Sequence, residues 1–158
     1  MYTGTMSAEQ ESLQTYTIKE ASEQCGLPES TLRYYESIGI IDTVARDETS
    51  KHRIYDEDDI NLLDAVACLN AAGLSIEDMR AYMHNRIRGA TAAKEQIALL
   101  QAQHERIKGE ATFLALREEY VRTKLSYWRA VDDGDEALAK QVGAHAKSIA
   151  RDLKFPNN

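Results

Sequence analysis

The stretch Ser30-Thr31-Leu32-Arg33-Tyr34-Tyr35-Glu36-Ser37-Ile38-Gly39-Ile40-Ile41 places an arginine and two adjacent tyrosines on a short helix that is expected to end at Gly39. A guanidinium group can form two parallel hydrogen bonds with a phosphate or with a guanine edge. A tyrosine offers a hydroxyl group to phosphate and an apolar ring to the core behind it. The combination is typical of a helix that contacts DNA, so the flanking segments decide whether a DNA-binding unit is present.

The segment before this helix predicts a partner helix. Thr17 is a good N-cap, and Glu20 three residues later completes a capping-box pattern. Gly26 suits the left-handed cap that ends this first helix, and Pro28 suits the first turn of the second. Two short helices joined by a tight turn that contains glycine are typical of a helix-turn-helix.

The segment after the arginine helix predicts a wing. Residues 40–44 and 52–55 are short runs with β-branched or aromatic residues, and a polar loop separates them. This pattern predicts a small hairpin beside the helix-turn-helix. Two further helices are expected, one over residues 57–72 and one that starts behind Ser75 and reaches about residue 86.

A long heptad pattern follows. Residues spaced alternately by three and four form a seam over more than four heptads, which predicts a coiled-coil helix. The seam consists of Ile97, Leu100, His104, Ile107, Ala111, Leu114, Glu118, Val121, Leu125 and Trp128. In an antiparallel pair whose facing position numbers sum to 225, Ala111 lies opposite Leu114 and Ile97 opposite Trp128. A short final helix is predicted over residues 136–153.

These patterns predict a mainly α fold. It comprises a winged helix-turn-helix DNA-binding domain, a long antiparallel coiled-coil dimerisation helix and a short C-terminal helix. The expected boundaries are a flexible tail over residues 1–15, the winged domain over 16–86, the dimerisation helix over 87–130, and the final helix and tail over 131–158.

Charge and composition narrow the possible partners. A net charge of −7 counts against a generally basic nucleic-acid-binding protein. Binding to DNA must therefore depend on local clusters such as Lys51-His52-Arg53. No apolar run approaches the roughly 20 residues that span a bilayer, and residues 1–15 lack the pattern of a signal peptide. Two cysteines, Cys25 and Cys68, are too few for a disulfide framework, so a reducing cytoplasmic compartment is expected.

At this point the residues indicate a family. The stretch from Tyr16-Thr17-Ile18 to Gly39, with Arg53-Ile54-Tyr55 and Gly73-Leu74-Ser75, resembles the MerR family of bacterial transcription regulators. The resemblance covers about residues 16–85 and implies a homodimer that grips a palindrome inside a promoter with a long spacer. It implies activation by bending and untwisting this spacer, which affects RNA polymerase indirectly. It implies no enzymatic activity.

The family's DNA contacts can be carried over by position. Residues of the second helix would face the major groove or its phosphates, and residues of the wing would hold the backbone. The resulting set is Thr17, Thr31, Arg33, Tyr34, Lys51, Arg53 and Tyr55. Tyr55 and Tyr35 are more ambiguous members of this region, and Tyr35 is open to either DNA contact or core packing. Where the family's wing often reads Tyr-Arg-x-Tyr, this chain reads His52-Arg53-Ile54-Tyr55, which puts any contact of the first tyrosine in doubt.

The stretch Val66-Ala67-Cys68-Leu69-Asn70-Ala71-Ala72-Gly73-Leu74-Ser75 looks like a MerR subgroup that responds to aldehydes or nitrosative stress. Members of that subgroup carry a cysteine at this point, so Cys68 is predicted to be the sensor thiol. A small packing residue is the alternative interpretation of Cys68. No cysteine follows it, so neither a thiolate metal site nor any other cofactor is predicted. The roughly thirty residues after the seam are too few for a drug-sized pocket of several hundred Å³.

Other functions stay open. Within the family, the chain could respond to an unknown small molecule, or to none, through its short tail. A protein of another class, a coiled-coil scaffold whose winged unit binds protein, would use the same seam. An enzyme is a weaker third option, because neither cysteine has a neighbouring histidine in the sequence. Salt-sensitive binding to a palindromic promoter fragment distinguishes the regulator from the scaffold.

Overall fold

A computed structural model describes residues 13–156 of the chain. Most of the tail predicted over residues 1–15 therefore lies outside the described residues. The predicted mainly α fold is confirmed, with one 3-10 turn at Gly89–Ala92 between the fourth and fifth helices. The helices are α1 (Ile18–Cys25), α2 (Glu29–Ser37), α3 (Glu57–Ala71), α4 (Ile76–Arg88), α5 (Ala93–Asp132) and α6 (Glu136–Lys154).

The chain divides into two compact units, and the division falls inside α5 between Leu99 and Leu100. The first unit contains α1 to α4, and the second contains the rest of α5 together with α6. The boundaries expected at residues 86 and 130 remain predictions. Among residues 13–156, no helix combines the length and the apolar character that crossing a membrane requires.

The predicted capping box of α1 is confirmed. The amide of Glu20 donates to the Thr17 hydroxyl oxygen at 3.2 Å, and the Glu20 carboxylate accepts from the Thr17 amide at 2.7 Å. Gly26 ends α1 in the left-handed conformation with φ 75°. This arrangement satisfies backbone groups that a short helix leaves unpaired.

The residues that follow α2 differ from the prediction. Gly39 has φ 76°, and the Ile40 amide reaches back to the Tyr35 carbonyl at 2.9 Å, as in a Schellman motif. Ile40 and Ile41 are thereby turned into the core, where both are buried. The strand expected over residues 40–44 is therefore wrong, because these amides close a helix end instead of pairing with another strand.

The wing is correspondingly small. In the described part of the chain, β structure is limited to two isolated antiparallel bridges, Tyr16 with Tyr55 and Arg46 with Arg53. The Ile54 amide donates to the Ala45 carbonyl at 2.8 Å, and the Asp47 amide donates to the His52 carbonyl at 2.9 Å. We call residues 45–54 the wing.

The core of the first unit decides which face of α2 is free. Leu32 and Tyr35 are buried in it, and the Tyr35 hydroxyl donates to the Asn70 side chain at 3.2 Å. Tyr35 is thus a packing residue that joins α2 to α3. Because residues on opposite faces of a helix cannot both point inward, Arg33 and Tyr34 lie on the exposed side.

In the second unit, α6 packs against α5. Asp135 caps α6 by accepting from the Leu138 amide at 3.0 Å, and Gly134 turns the chain with φ 72°. The buried residues of this unit include small side chains and one larger aliphatic one, Thr123, Ala130, Ala139, Ala146 and Ile149. Most of these buried side chains are small, so this unit has a thin core.

Candidate nucleic-acid interface

Arg33 and Tyr34 are exposed on α2. The Arg33 guanidinium lies 3.1 Å from the Glu29 carboxylate one turn earlier, and both side chains remain at least 40% exposed. Tyr34 is half exposed, and its ring is tilted against the Tyr35 ring with centroids 6.1 Å apart. An exposed pair of this kind contributes at most about 1 kcal/mol. Arg33 can therefore exchange Glu29 for a phosphate or a base at little cost.

The wing carries its own cation at a tight turn. The Asp47 carboxylate accepts from the Ser50 amide at 2.6 Å and from the Thr49 amide at 3.0 Å. These hydrogen bonds, that of Ser50 first, hold the pKa of Asp47 below its usual range. Lys51 follows with φ 61°, a left-handed conformation that non-glycine residues adopt rarely. The turn leaves the Lys51 side chain exposed.

Glu36 connects α2 to the wing. Its carboxylate accepts from Arg53 Nε at 2.5 Å and from the Val44 amide at 3.1 Å. Burial would raise the pKa of Glu36, but the hydrogen bonds from Arg53 and Val44 outweigh it and hold the pKa below its usual value. The Glu36 side chain is only 8% exposed, so this ion pair is protected from solvent. Arg53 thus positions the wing against α2.

Together these elements form a concave surface of about 220 Å³. Its lining residues are Thr17, Ile18, Arg33, Arg46, Lys51, His52 and Arg53, which we call the basic face. Four of them carry a permanent positive charge, and the lining includes no carboxylate. In a chain with a net charge of −7, this concentration of cations favours a polyanion.

The predicted DNA-contacting residues do not all lie here. Thr17, Arg33, Lys51 and Arg53 line the basic face, whereas exposed Tyr34 and half-buried Thr31 lie on α2 outside its lining.

Tyr55 requires a correction. Its side chain is 0% exposed, its hydroxyl has no hydrogen-bond partner among the described residues, and burial raises its pKa. The bridge with Tyr16 turns the ring inward. We therefore remove Tyr55 from the predicted DNA-contacting set.

Arg46 is a member of the basic face that the sequence patterns did not single out. It lies directly across the wing from Arg53. Like charges opposite one another destabilise a hairpin, so such a pair indicates a role other than stability. The signal depends on the register of the wing, which the sequence does not determine.

The two cysteines differ in exposure. Cys68 is exposed on α3, whereas Cys25 is half buried, and both thiols are free. The Cys25 thiol approaches the Ser22 carbonyl at 4.0 Å. Among residues 13–156, no group of three or more histidine, cysteine or acidic residues is placed to hold a metal ion.

The seam of α5 is exposed in the single chain. Each of its ten positions is exposed, and Leu114 and Trp128 reach 61%. Exposed large apolar residues at regular positions indicate a surface that another helix covers.

The prediction about pocket size is wrong. The residues after the seam were expected to be too few for a drug-sized pocket, but a concavity of about 590 Å³ lies between α5 and α6. The number of residues after the seam did not predict the size of the concavity, because α5 lines one of its sides.

The first unit carries the similarity to a known family. Residues 16–86 match the family model described as "MerR HTH family regulatory protein". Over these residues the chain is similar to MerR-family regulators. The matched residues include α1 to α3, the wing and most of α4, and therefore all of the basic face.

Two curated relatives are similar to this chain. An uncharacterized HTH-type transcriptional regulator of Haemophilus influenzae is 29% identical over 115 residues, which are 73% of this chain and 84% of the relative. The HTH-type transcriptional regulator AdhR of Bacillus subtilis is 36% identical over 90 residues, which are 57% of this chain and 64% of AdhR.

A solved structure with the same fold has DNA bound. HiNmlR, described as "a MerR family regulator lacking the sensor domain, bound to promoter DNA", superposes with a TM-score of 0.63. The two sequences are 28% identical, and the alignment covers 82% of this chain and 96% of HiNmlR.

Proposed function

We propose that this chain is a MerR-family regulator, two copies of which bind a palindromic promoter and control transcription by bending and untwisting the spacer. The observation that carries the proposal is the basic face, where four cations and no carboxylate line one concavity of an acidic chain. Arg33 on α2 would enter the major groove, and Lys51 and Arg46 on the wing would hold the flanking phosphates. HiNmlR supports this proposal, since a chain of the same fold binds promoter DNA.

Pairing of two chains would follow from the seam. Its apolar residues are exposed along α5, and antiparallel pairing would cover them at both ends. The polar positions His104 and Glu118 would cost stability but select one register. With the facing positions summing to 225, His104 meets Val121 and Glu118 meets Ile107. Two basic faces on one dimer then match the two halves of a palindrome.

The trigger we propose is an aldehyde or nitrosating electrophile at Cys68, whose thiol is exposed. With an aldehyde, the thiolate sulfur attacks the carbonyl carbon, a C–S bond forms, and the carbonyl π electrons move to oxygen. That oxygen then takes a proton from water, which gives a hemithioacetal without any oxidant. An exposed thiol meets the access requirement of this chemistry. The similarity covers only 64% of AdhR, so it does not carry the proposed trigger. The proposal is argued from Cys68 itself.

Replacing Cys68 tests the trigger. In the Cys68→Ser variant we expect DNA affinity to stay within about twofold, because Cys68 lies on α3 outside the basic face. Induction of a reporter by formaldehyde or S-nitrosoglutathione should be lost. The matched control is Cys25→Ser, which removes the half-buried thiol and should keep induction. Full induction in Cys68→Ser would exclude Cys68 as the sensor and leave the DNA-binding proposal intact.

A further inference from the structure

The concavity between α5 and α6 has the form of a small-molecule site. We call it the α5–α6 groove, and its volume is about 590 Å³. Ligand sites commonly enclose about 300–1,000 Å³ and combine apolar surface with a few polar groups. Along α6 the groove is lined by alanines and by Gly143, where an added Cβ would lie only 3.4 Å from the Tyr127 ring. The small residues leave space that larger side chains would fill.

The α5 side of the groove is aromatic. It presents Tyr120, Tyr127 and Trp128, and the last two rings meet edge to face with centroids 5.3 Å apart. Such an arrangement offers ring faces and edges to a planar ligand. Trp128 is 61% exposed in the single chain.

The charge of the groove is one-sided. Lys124, Lys140 and Lys147 line it, and its lining contains no carboxylate. Within residues 13–156, none of these three lysines forms a salt bridge. Lys124 instead lies over the Tyr127 ring with its ammonium 5.1 Å from the centroid. Three unneutralised cations beside aromatic rings complement a planar anion.

The groove is separate from most of the seam. Tyr120 and Tyr127 lie two residues after seam residues, at c positions of the heptad, whereas Lys124 directly precedes Leu125 at a g position that flanks the seam. A second chain on the seam would therefore leave the two tyrosines at the groove and lie close to Lys124. Trp128 belongs to both surfaces. A ligand in the groove would therefore lie beside one end of the dimer contact.

We propose that the α5–α6 groove binds a small aromatic carboxylate, with the rings against Tyr127 and Trp128 and the carboxylate among the three lysines. Binding itself does not depend on the function proposed above. Only its consequence for transcription, through Trp128 and the seam, rests on that function.

Calorimetric titration of the full chain with 2-naphthoate tests the proposal. We expect saturable binding at one site per chain, and at least fivefold weaker binding of the neutral analogue 2-naphthamide. The Lys140→Ala/Lys147→Ala variant should lose at least tenfold in affinity. The matched control is Arg151→Ala/Lys154→Ala, which removes the same charge from the last turn of α6 outside the groove and should bind like the parent chain. Circular dichroism verifies that both variants retain their helices.

The proposal would be overturned by the absence of any heat of binding or by equal affinity for the acid and the amide. It would also be overturned if the Lys140→Ala/Lys147→Ala and Arg151→Ala/Lys154→Ala variants lost the same affinity. Binding that Ala144→Trp leaves unchanged would also do so, because this substitution fills the groove without removing charge. The titration contains no DNA, so its failure would leave the proposed regulator untouched. Conversely, failure to bind a promoter would not alter the titration.

Discussion

At the scale of single residues, Glu36 is the link between α2 and the wing. It accepts hydrogen bonds from Arg53 and from the Val44 amide, and it is nearly buried. Its pKa is lowered relative to the usual 4.5, so its charged form is favoured in the folded chain. Stability from this source is therefore present above pH 4.5 and is lost as the pH falls through the lower, folded-state pKa.

We expect Glu36→Gln to destabilise the first unit by about 1–3 kcal/mol at neutral pH, because Arg53 loses its charged partner. The difference from the parent chain should shrink in urea titrations below pH 4.5. Glu95→Gln is the matched control, since Glu95 pairs with Arg88 on the exposed surface, and it should cost less than about 1 kcal/mol. A Glu36→Gln effect that is the same at both pH values would refute this role.

Single residues also show which contacts can be predicted from the sequence and which depend on the tertiary structure. Arg33 could be placed on the outer side of α2, because periodicity separates it from Leu32 and Tyr35. Tyr55 was assigned to DNA by family position, although the bridge with Tyr16 buries its ring completely. Arg46 was missed because its place opposite Arg53 depends on pairing across the wing, which is a tertiary feature.

At the scale of elements, helix ends were predictable and the wing was not. Thr17 predicts a helix start because its hydroxyl group can cap the first turn, and Gly39 predicts a helix end because glycine can adopt a positive φ. Residues 40–44 have β propensity, but the amides of Ile40 and Ile41 donate to the Tyr35 carbonyl at the end of α2. These hydrogen bonds to the neighbouring helix override the local preference for a strand.

Two glycine substitutions test this view of the helices. Gly39→Ala should destabilise the chain by about 1–2 kcal/mol, because alanine is strained at φ 76° although no atom lies within 4 Å of the new Cβ. Gly109→Ala, in the middle of α5 and equally unobstructed, should instead stabilise it by up to about 1 kcal/mol. Thermal unfolding of both variants measures the two signs. Equal effects would mean that backbone conformation does not decide the end of α2.

At the scale of the whole molecule, we propose that a second chain covers the exposed seam on α5, and the proposed antiparallel register specifies which residues would meet. Chains carrying Ala111→Cys, mixed with chains carrying Leu114→Cys, should form a disulfide on mild oxidation. Both are made with Cys25→Ser and Cys68→Ser, so that the new thiols are the only ones. Disulfides need Cα atoms about 4.4–6.8 Å apart, so the reaction reports the register directly.

The control for this pairing is Glu105→Cys, which lies on α5 beside the seam rather than on it. Mixed with the Leu114→Cys chain and oxidised, it should give little crosslinked dimer on a non-reducing gel. If it crosslinks as well as Ala111→Cys, the register that sums to 225 is wrong.

The α5–α6 groove also belongs to this scale. Its lysines and aromatic residues are visible in the sequence, but nothing in their spacing shows that Lys140 and Lys147 lie beside Lys124. That neighbourhood arises only when α6 folds back on α5. The number of residues in the tail therefore underestimated the volume of the groove between the two helices.

The most direct test of the central claim is a fluorescence anisotropy titration of the protein with the promoter fragment upstream of its own gene. Between about 50 and 200 mM salt, we expect the logarithm of affinity to fall linearly with the logarithm of salt concentration. Arg33→Ala should weaken binding by about 1–3 kcal/mol, and Lys51→Ala should reduce the salt slope by about one. Arg151→Ala, far along α6, is the control. Affinity that is insensitive to salt, or an Arg33→Ala variant that binds as tightly as the parent chain, would contradict the account.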